Sequence, residues 1–184
     1  MTMRDIMHLA GIHQFLNMIF HKGRMSNYTR PHIRGATVFF TVGLRLQGSD
    51  TLLREVHLLR SAVARTLRER PVTVNAWVVL PDHMHCIWTL PEGDCDYSTR
   101  WRIIKSRFSR KLAKVPLRAS DTKRQGRGIW NRRFWEHHIR SKADYDSHME
   151  HCWLDPVRHG FVSKPEHWEY TSFAKLRRAP VFCA

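Results

Sequence analysis

The stretch from Val72 to Leu90, VTVNAWVVLPDHMHCIWTL, contains two apolar runs joined by Pro81-Asp82. β-branched and aromatic residues dominate both runs, as is typical of buried strands, and Pro-Asp favours a tight turn. The stretch therefore predicts a β-hairpin, with one strand over Val72–Leu80 and the next over His83–Leu90.

The segments around this hairpin alternate between strand-like and helix-like apolar patterns. They predict, in chain order, a strand over Gly35–Leu46, a helix from Leu52 to Leu67, the hairpin, a helix that begins at Ser98, a strand over Phe134–Arg140, and a helix from Ser141 to about Leu154 that Pro156 ends. This order is that of an α+β, ferredoxin-like βαββαβ fold with an antiparallel four-stranded sheet and an additional C-terminal helix. Because such folds carry many functions, function has to be argued from charge and motifs.

The composition excludes several classes of protein. The 184 residues carry 31 Lys and Arg against 16 Asp and Glu, a net charge of +15, and 42% of them are hydrophobic. That apolar fraction is too high for a disordered polycation and predicts one packed domain. The apolar stretch Ile6–Phe20 is too short and too interrupted to span a membrane. It also lacks a convincing small-residue cleavage site, which argues against a signal peptide. The four cysteines form no CxxC pair, which fits a reducing cytoplasm.

The positive charge is concentrated in one segment. Between Arg100 and Arg133 there are 13 basic residues and one acid, so this segment carries +12 of the total. A solvated helix face is the alternative, but a run of one sign that continues through a loop favours binding to nucleic acid. Trp101 and Phe108 fall at helical spacing within it, and we expect both to belong to the core.

The hairpin also carries a His-hydrophobic-His motif. Side chains alternate along a strand, so His83 and His85 project from one face about 7 Å apart, while Met84 points to the other. Two imidazoles placed in this way can bind one divalent metal ion. The motif alone is weak, because the chain contains 13 histidines, and a structural role for both residues stays open.

The last predicted helix offers further ligands. His148, His151 and Asp155 stand at positions i, i+3 and i+7, which places them near one face of the helix. The Asp155 carboxylate could complete a metal site with His83 and His85, and a metal there would polarise a phosphodiester. A polar helix face without a ligand is the alternative.

Several of these stretches together resemble the REP-associated tyrosine transposases, a family of single-tyrosine, His-hydrophobic-His transposases. The similarity covers about residues 25 to 173. It is carried, in chain order, by Met25–Tyr28 with Gly35–Val42, Asn75–Trp88, Ser98–Lys105, Arg133–His137 and Asp155–Gly160.

The resemblance implies a ferredoxin-like domain that binds the foot of a palindromic DNA hairpin with a single-stranded flank. It also implies cleavage and transfer of one strand by a helix-borne tyrosine, with Mg²⁺ or Mn²⁺ as cofactor. Carried over, the metal ligands are His83, His85 and Asp155. The family further implies a monomer or homodimer in the bacterial cytoplasm, associated with the nucleoid and not with a membrane.

One position departs from the family. The motif that ends in Asp155–Gly160 puts the nucleophilic tyrosine at position 151, where this chain has His151. Tyr145 lies about 120° around the helix from position 151 and should not reach the same site. An imidazole does not simply replace a tyrosine oxygen as the nucleophile.

Three explanations stay open for His151. The chain could be a DNA-binding paralogue without cleavage, an otherwise competent endonuclease with one substitution, or a protein in which His151 closes the metal site. A histidine nucleophile, a metal-dependent hydrolase of another anionic substrate and a basic scaffold for RNA or protein are further alternatives.

Charge and resemblance together predict a set of DNA-binding residues. They are Tyr28, Arg30, Arg100, Arg102, Lys105, Arg107, Arg110, Lys111, Arg127, Arg132 and Arg133. The predicted domain organisation is an N-terminal extension over residues 1–24, a transposase-like domain over 25–162 and a C-terminal tail over 163–184.

Overall fold

A computed structural model of the chain describes residues 31–112 and 128–173. In chain order the elements are β1 (Thr37–Gly43), α1 (Thr51–Arg54), α2 (Val56–Glu69), β2 (Thr73–Val79), β3 (His83–Thr89), α3 (Tyr97–Lys111), β4 (Trp135–His138), α4 (Lys142–Arg158) and a 3₁₀ turn (Pro165–His167). All of them belong to one compact unit that begins at His32.

The four strands form one antiparallel sheet in the order β2-β3-β1-β4. This order confirms the predicted ferredoxin-like fold, with α4 as the additional C-terminal helix. The predicted hairpin is present, and the backbone N–H of Leu80 donates to His83 O at 2.8 Å to close it.

Two predicted helix boundaries are wrong. The helix expected from Leu52 to Leu67 is interrupted at Glu55, whose φ of −106° and ψ of 27° separate α1 from α2. The last helix does not end before Pro156 but continues to Arg158 with the proline inside it. A proline removes only its own N–H from the ladder, and the N–H of His159 still donates to Asp155 O at 3.0 Å.

The two faces of the sheet bury different cores. Alternate residues of β1 and β3, including Phe40 and Trp88, pack with α2 and α3 on the first face. The residues between them, including Phe39 and Ile87, pack with α4 on the second face. Trp101, Ile104 and Phe108 of α3 are fully buried, which confirms the predicted core stripe.

Part of the predicted basic surface lies inside the protein. Arg100 is 2% exposed, and its guanidinium donates to the backbone oxygens of Arg70, Pro71 and Asp96 at 2.8–3.0 Å. It also donates to Asp94 Oδ2 at 2.6 Å and lowers the pKa of that carboxyl. Arg100 therefore joins the start of α3 to the end of α2 and is not available to bind DNA.

No helix in residues 31–112 or 128–173 is both long enough and apolar enough to cross a membrane. The three cysteines in these ranges, Cys86, Cys95 and Cys152, are free thiols. The predicted extension over residues 1–24, residues 174–184 of the predicted tail, and Tyr28, Arg30 and Arg127 lie outside the described ranges.

We expect Arg100→Ala to lower the free energy of unfolding by about 3 kcal/mol, because it leaves Asp94 and three carbonyl oxygens without their donor. Arg102→Ala, an exposed residue of the same helix, should change it by less than about 0.5 kcal/mol. Urea denaturation of both variants measures the difference. Equal stability of the two variants would contradict the internal role of Arg100.

Candidate metal centre

The site lies where the start of β3 meets the last two turns of α4. His83 and His85 project from the second face of the sheet, the face that α4 covers. Asp155 of α4 is 1% exposed, and its Oδ2 lies 3.3 Å from His85 Nε2 and 3.8 Å from His83 Nε2. The structure thus brings together the two histidines and the carboxylate that the sequence predicted as metal ligands.

Two more histidines, one within α4 and one at its C-terminal end, lie near the other carboxylate oxygen of Asp155. His151 Nε2 lies 3.9 Å, and His159 Nε2 3.7 Å, from Asp155 Oδ1. His151 was a predicted member of the site, and His159 was not. The signal that could have found it is its spacing of four residues from Asp155, which places both on one helix face.

Asp155 and His85 are already in the charge states that metal ligands need, whereas His83 has to release a proton when a metal binds. Burial would raise the pKa of Asp155, but the neighbouring histidines His85 and His83 hold it well below its ordinary value. Burial lowers the pKa of His85, which keeps its imidazole neutral. Burial also disfavours protonated His83, but Asp155 and Asp82 outweigh that effect and raise its pKa to about 9. The Asp155 carboxylate is therefore ionised, and it draws positive charge toward itself.

Two neighbouring side chains contact the Nδ1 atoms of His85 and His83 and orient their rings. Thr41 Oγ1 lies 2.9 Å from His85 Nδ1, because Thr41 and His85 are paired residues of β1 and β3. Asp82 Oδ1 lies 2.7 Å from His83 Nδ1. Both contacts engage Nδ1 and direct Nε2 toward Asp155, which is how outer residues commonly fix metal-binding histidines. Neither residue was predicted from the sequence, although Asp82 directly precedes the motif.

The centre fits a divalent cation. His85 Nε2 and Asp155 Oδ2 are buried and have no hydrogen-bond partner, an arrangement that is costly unless something satisfies both atoms. A cation between them would do so, with His83 as a further ligand. Two imidazole nitrogens and one carboxylate oxygen suit Mn²⁺ and Zn²⁺, and the hard carboxylate also suits Mg²⁺.

His151 is held in one tautomer. Its side chain is 9% exposed, and Arg158 Nη1 lies 2.9 Å from its Nδ1. A guanidinium only donates hydrogen bonds, so Nδ1 must accept and the single proton of a neutral ring sits on Nε2. Burial and the nearby His85 lower the pKa of His151 to about 3, which keeps the ring neutral. Neither nitrogen then offers a free lone pair.

The described tyrosines are engaged elsewhere. Tyr97 is buried in the core on the first face of the sheet. Tyr145 packs against the second core, six residues before His151 on α4. The ring of Tyr170 lies 5.4 Å from that of Trp168, and its backbone oxygen accepts from the N–H of Val79 at 2.8 Å, beside β2.

The basic residues of α3 lie on the opposite face of the sheet from the histidines, because α3 packs on the first core. Arg107 donates to both carboxylate oxygens of Glu69 at 2.7–2.8 Å, and Lys105 Nζ donates to Asn131 O at 3.0 Å. These two side chains are therefore partly committed within the protein. The exposed basic residues of the predicted set are Arg102, Arg110, Lys111, Arg132 and Arg133.

Four of these exposed residues nevertheless share one end of the sheet with the site. Gly43 pairs with His83 across β1 and β3, and its backbone oxygen accepts from the N–H of Asn131 at 2.9 Å. Arg132 and Arg133 follow Asn131 directly. The last turn of α3, with Arg110 and Lys111, reaches the same end, where Phe108 contacts the ring of Trp130 at 5.3 Å. We call Arg110, Lys111, Arg132 and Arg133 the basic end.

Comparison with known proteins agrees with this geometry, although no family model matches the chain. It is 45% identical over 149 residues to the REP-associated tyrosine transposase of Escherichia coli K12, covering 81% of this chain and 83% of that protein. It is 36% identical over 160 residues to a putative REP-associated tyrosine transposase of Haemophilus influenzae, covering 86% and 91%.

A solved structure of the REP-associated tyrosine transposase bound to a REP hairpin superimposes with a TM-score of 0.72 and 43% sequence identity. The match covers 87% of this chain and 92% of that one. The fold and these relatives place the chain among the transposases. The chain belongs to the family of REP-associated tyrosine transposases.

We expect Thr41→Val to weaken Mn²⁺ binding about 10- to 100-fold, because His85 loses the hydroxyl that orients its ring. Thr41→Ser keeps a hydroxyl and should bind Mn²⁺ as the unchanged protein does. Titration of each metal-stripped protein with Mn²⁺, followed by electron paramagnetic resonance of the free ion, measures the affinity. Equal affinity in all three proteins would show that the contact does not support the centre.

Proposed function

We propose that the chain binds a palindromic DNA hairpin with a single-stranded flank and does not form a covalent bond to the DNA. Hairpin binding is supported by membership of the family and by the relative whose structure contains a REP hairpin. The bacterial relatives favour a bacterial cytoplasmic protein whose partner is DNA. Whether it acts as a monomer or homodimer, and whether it associates with the nucleoid, stay predictions.

The observation that carries the second half of this proposal is the contact between His151 and Arg158. In the family a tyrosine oxygen attacks phosphorus, and a nucleophile needs an available lone pair. The lone pair of His151 Nδ1 accepts from Arg158 at 2.9 Å, and Nε2 carries the proton. The same tautomer argues against His151 as a fourth metal ligand, because its proton would have to move from Nε2 to Nδ1, and an N–H there would face the donating guanidinium of Arg158.

The metal of this centre would be held by His83, His85 and Asp155. When bound, Mg²⁺ or Mn²⁺ would polarise a phosphodiester and orient it. The chain's own part is to present the three ligands already oriented. Thr41 and Asp82 engage the Nδ1 atoms. Asp155 lies on the buried side of α4, so its carboxylate faces the two rings and not solvent.

The basic end supplies the electrostatic part of binding. Arg132 and Arg133 lie on the segment that follows Asn131, two strands across from His83, and Arg110 and Lys111 lie at the end of α3. A DNA backbone that contacts these residues would pass around the end of the sheet toward the histidines. Such phosphate contacts give affinity that depends on salt and little on sequence.

A second candidate function is strand cleavage in which the protein forms no bond to the DNA. The observation that favours it is that His83, His85 and Asp155 lie together at one centre, although position 151 carries no tyrosine. A cleaved strand without a covalent adduct would distinguish this candidate from simple binding.

We expect Arg132→Ala combined with Arg133→Ala to weaken binding to a REP-like hairpin and to reduce the slope of log affinity against log salt. Each lost phosphate contact should lower the slope by about 0.7–0.9. Arg60→Ala combined with Arg68→Ala removes the same charge from exposed positions of α2 and is the control. Fluorescence anisotropy between about 50 and 300 mM salt measures both variants. If both variants lose the same affinity, overall charge and not the basic end determines binding.

We expect His151→Tyr to gain Mn²⁺-dependent cleavage of the single-stranded flank, since it places a phenolic oxygen at the family's nucleophile position. A denaturing gel of labelled hairpin DNA should show a slower, protein-linked band with His151→Tyr and none with His151→Phe. His85→Ala added to His151→Tyr should abolish the band, because the centre then lacks a ligand. The proposal fails if the unchanged protein gives this protein-linked band.

A further inference from the structure

A second group of metal-ligating side chains lies on the same helix, two turns before the centre described above. It joins His137 of β4 with Asp144 and His148 of α4. His137 Nε2 lies 2.9 Å from Asp144 Oδ2 and 3.1 Å from Oδ1, and His148 Nδ1 lies 3.1 Å from Oδ1. One ligand atom from each residue fits within 4.8 Å of the others.

The local fold holds all three residues in place. Ser141 caps α4 by accepting from the N–H of Asp144 at 3.1 Å, and Asp144 Oδ2 accepts from the N–H of Arg140 at 2.9 Å. The carboxylate is therefore fixed where β4 ends and α4 begins. His148 follows Asp144 by four residues and lies on the same helix face, and His137 reaches the pair from the adjacent strand.

The two imidazole rings face each other. Their centroids are 4.6 Å apart and their planes differ by 11°, so two bulky polar rings are stacked and both directed at one carboxylate. His148 Nδ1 also lies 2.8 Å from the Asp144 backbone oxygen. Oxygens of this kind only accept, so each ring now presents an N–H to Asp144. A cation bound to these two nitrogens would displace both protons to solvent, and each ring would stay neutral by carrying a proton on its other nitrogen.

From this arrangement we propose that His137, Asp144 and His148 form a second metal site, with Zn²⁺ as the cation it suits best. Two imidazole nitrogens and one carboxylate oxygen are a common ligand set for Zn²⁺, with a fourth position left for water. Mg²⁺ prefers oxygen ligands and is disfavoured here. The side chains are 31%, 21% and 19% exposed, so the ion can enter from solvent.

The site would fasten the first turns of α4 to β4. It lies close to the centre, because the ring of Phe39 contacts His148 at 4.7 Å and stacks on His85 at 5.3 Å. Zn²⁺ would thus stabilise the helix that carries His151 and Asp155. This inference does not depend on the proposed function, and its test needs no DNA.

The full chain, stripped of metal, is titrated with Zn²⁺ against a chromophoric chelator, and its melting temperature is measured with and without Zn²⁺. His137→Ala and His148→Ala should each weaken one Zn²⁺ equivalent by more than about 100-fold, since losing a ligand costs more than losing an outer contact. Both variants should also lose the part of the Zn²⁺-dependent rise in melting temperature that this site contributes. His85→Ala should keep that equivalent and that part of the rise, even where Zn²⁺ no longer binds at the centre between β3 and α4.

His57→Ala, an exposed histidine of α2, is the matched control and should behave as the unchanged protein does. If His137→Ala keeps every Zn²⁺ equivalent and the full rise in melting temperature, the site does not exist. If His57→Ala loses as much as His137→Ala, the binding is a general property of surface histidines and the proposal is overturned. Circular dichroism of each metal-free variant checks that it folds, and His137→Gln replaces His137→Ala if the latter does not.

Discussion

A buried, ionised carboxylate determines how the second face of this protein is built. Asp155 is 1% exposed, and an isolated charge in that position would cost several kcal/mol. Imidazoles from the start of β3, from α4 itself and from the end of α4 surround it within 3.3–3.9 Å. These contacts join the last turns of α4 to the start of β3. They still leave His85 Nε2 and Asp155 Oδ2 facing each other without a hydrogen bond.

In the proposed function, position 151 separates DNA binding from strand cleavage. The three ligands and the two side chains that orient them are arranged as a metal centre needs. The side chain at the nucleophile position is instead a neutral imidazole whose one lone pair accepts from Arg158. A phenol would present an oxygen in that place. The fold and the basic end do not depend on this residue, so DNA binding can persist where the covalent step is lost.

Much of the site could be predicted from the local sequence. The two-residue period of a strand and the 3.6-residue period of a helix determine which side chains share a face. Alternation along β3 put His83 and His85 on one face, and helical spacing put His151 and Asp155 on one side of α4. Arg100 was misassigned to the DNA surface, because a count of charges does not reveal that Asp94 and three carbonyl oxygens enclose a guanidinium. Thr41 was missed because its contact with His85 depends on the register between β1 and β3. The approach of His137 to Asp144 was missed for the same reason, because it depends on how α4 lies relative to β4.

The central claim is that the chain binds hairpin DNA and that His151 forms no covalent bond to it. Intact-protein mass spectrometry of the unchanged chain, after incubation with a REP-like hairpin that carries a single-stranded flank and Mn²⁺, tests it most directly. The account predicts that the protein keeps its unmodified mass while anisotropy shows that the hairpin is bound. A mass increased by a DNA fragment, mapped by peptide fragmentation to His151, would contradict it.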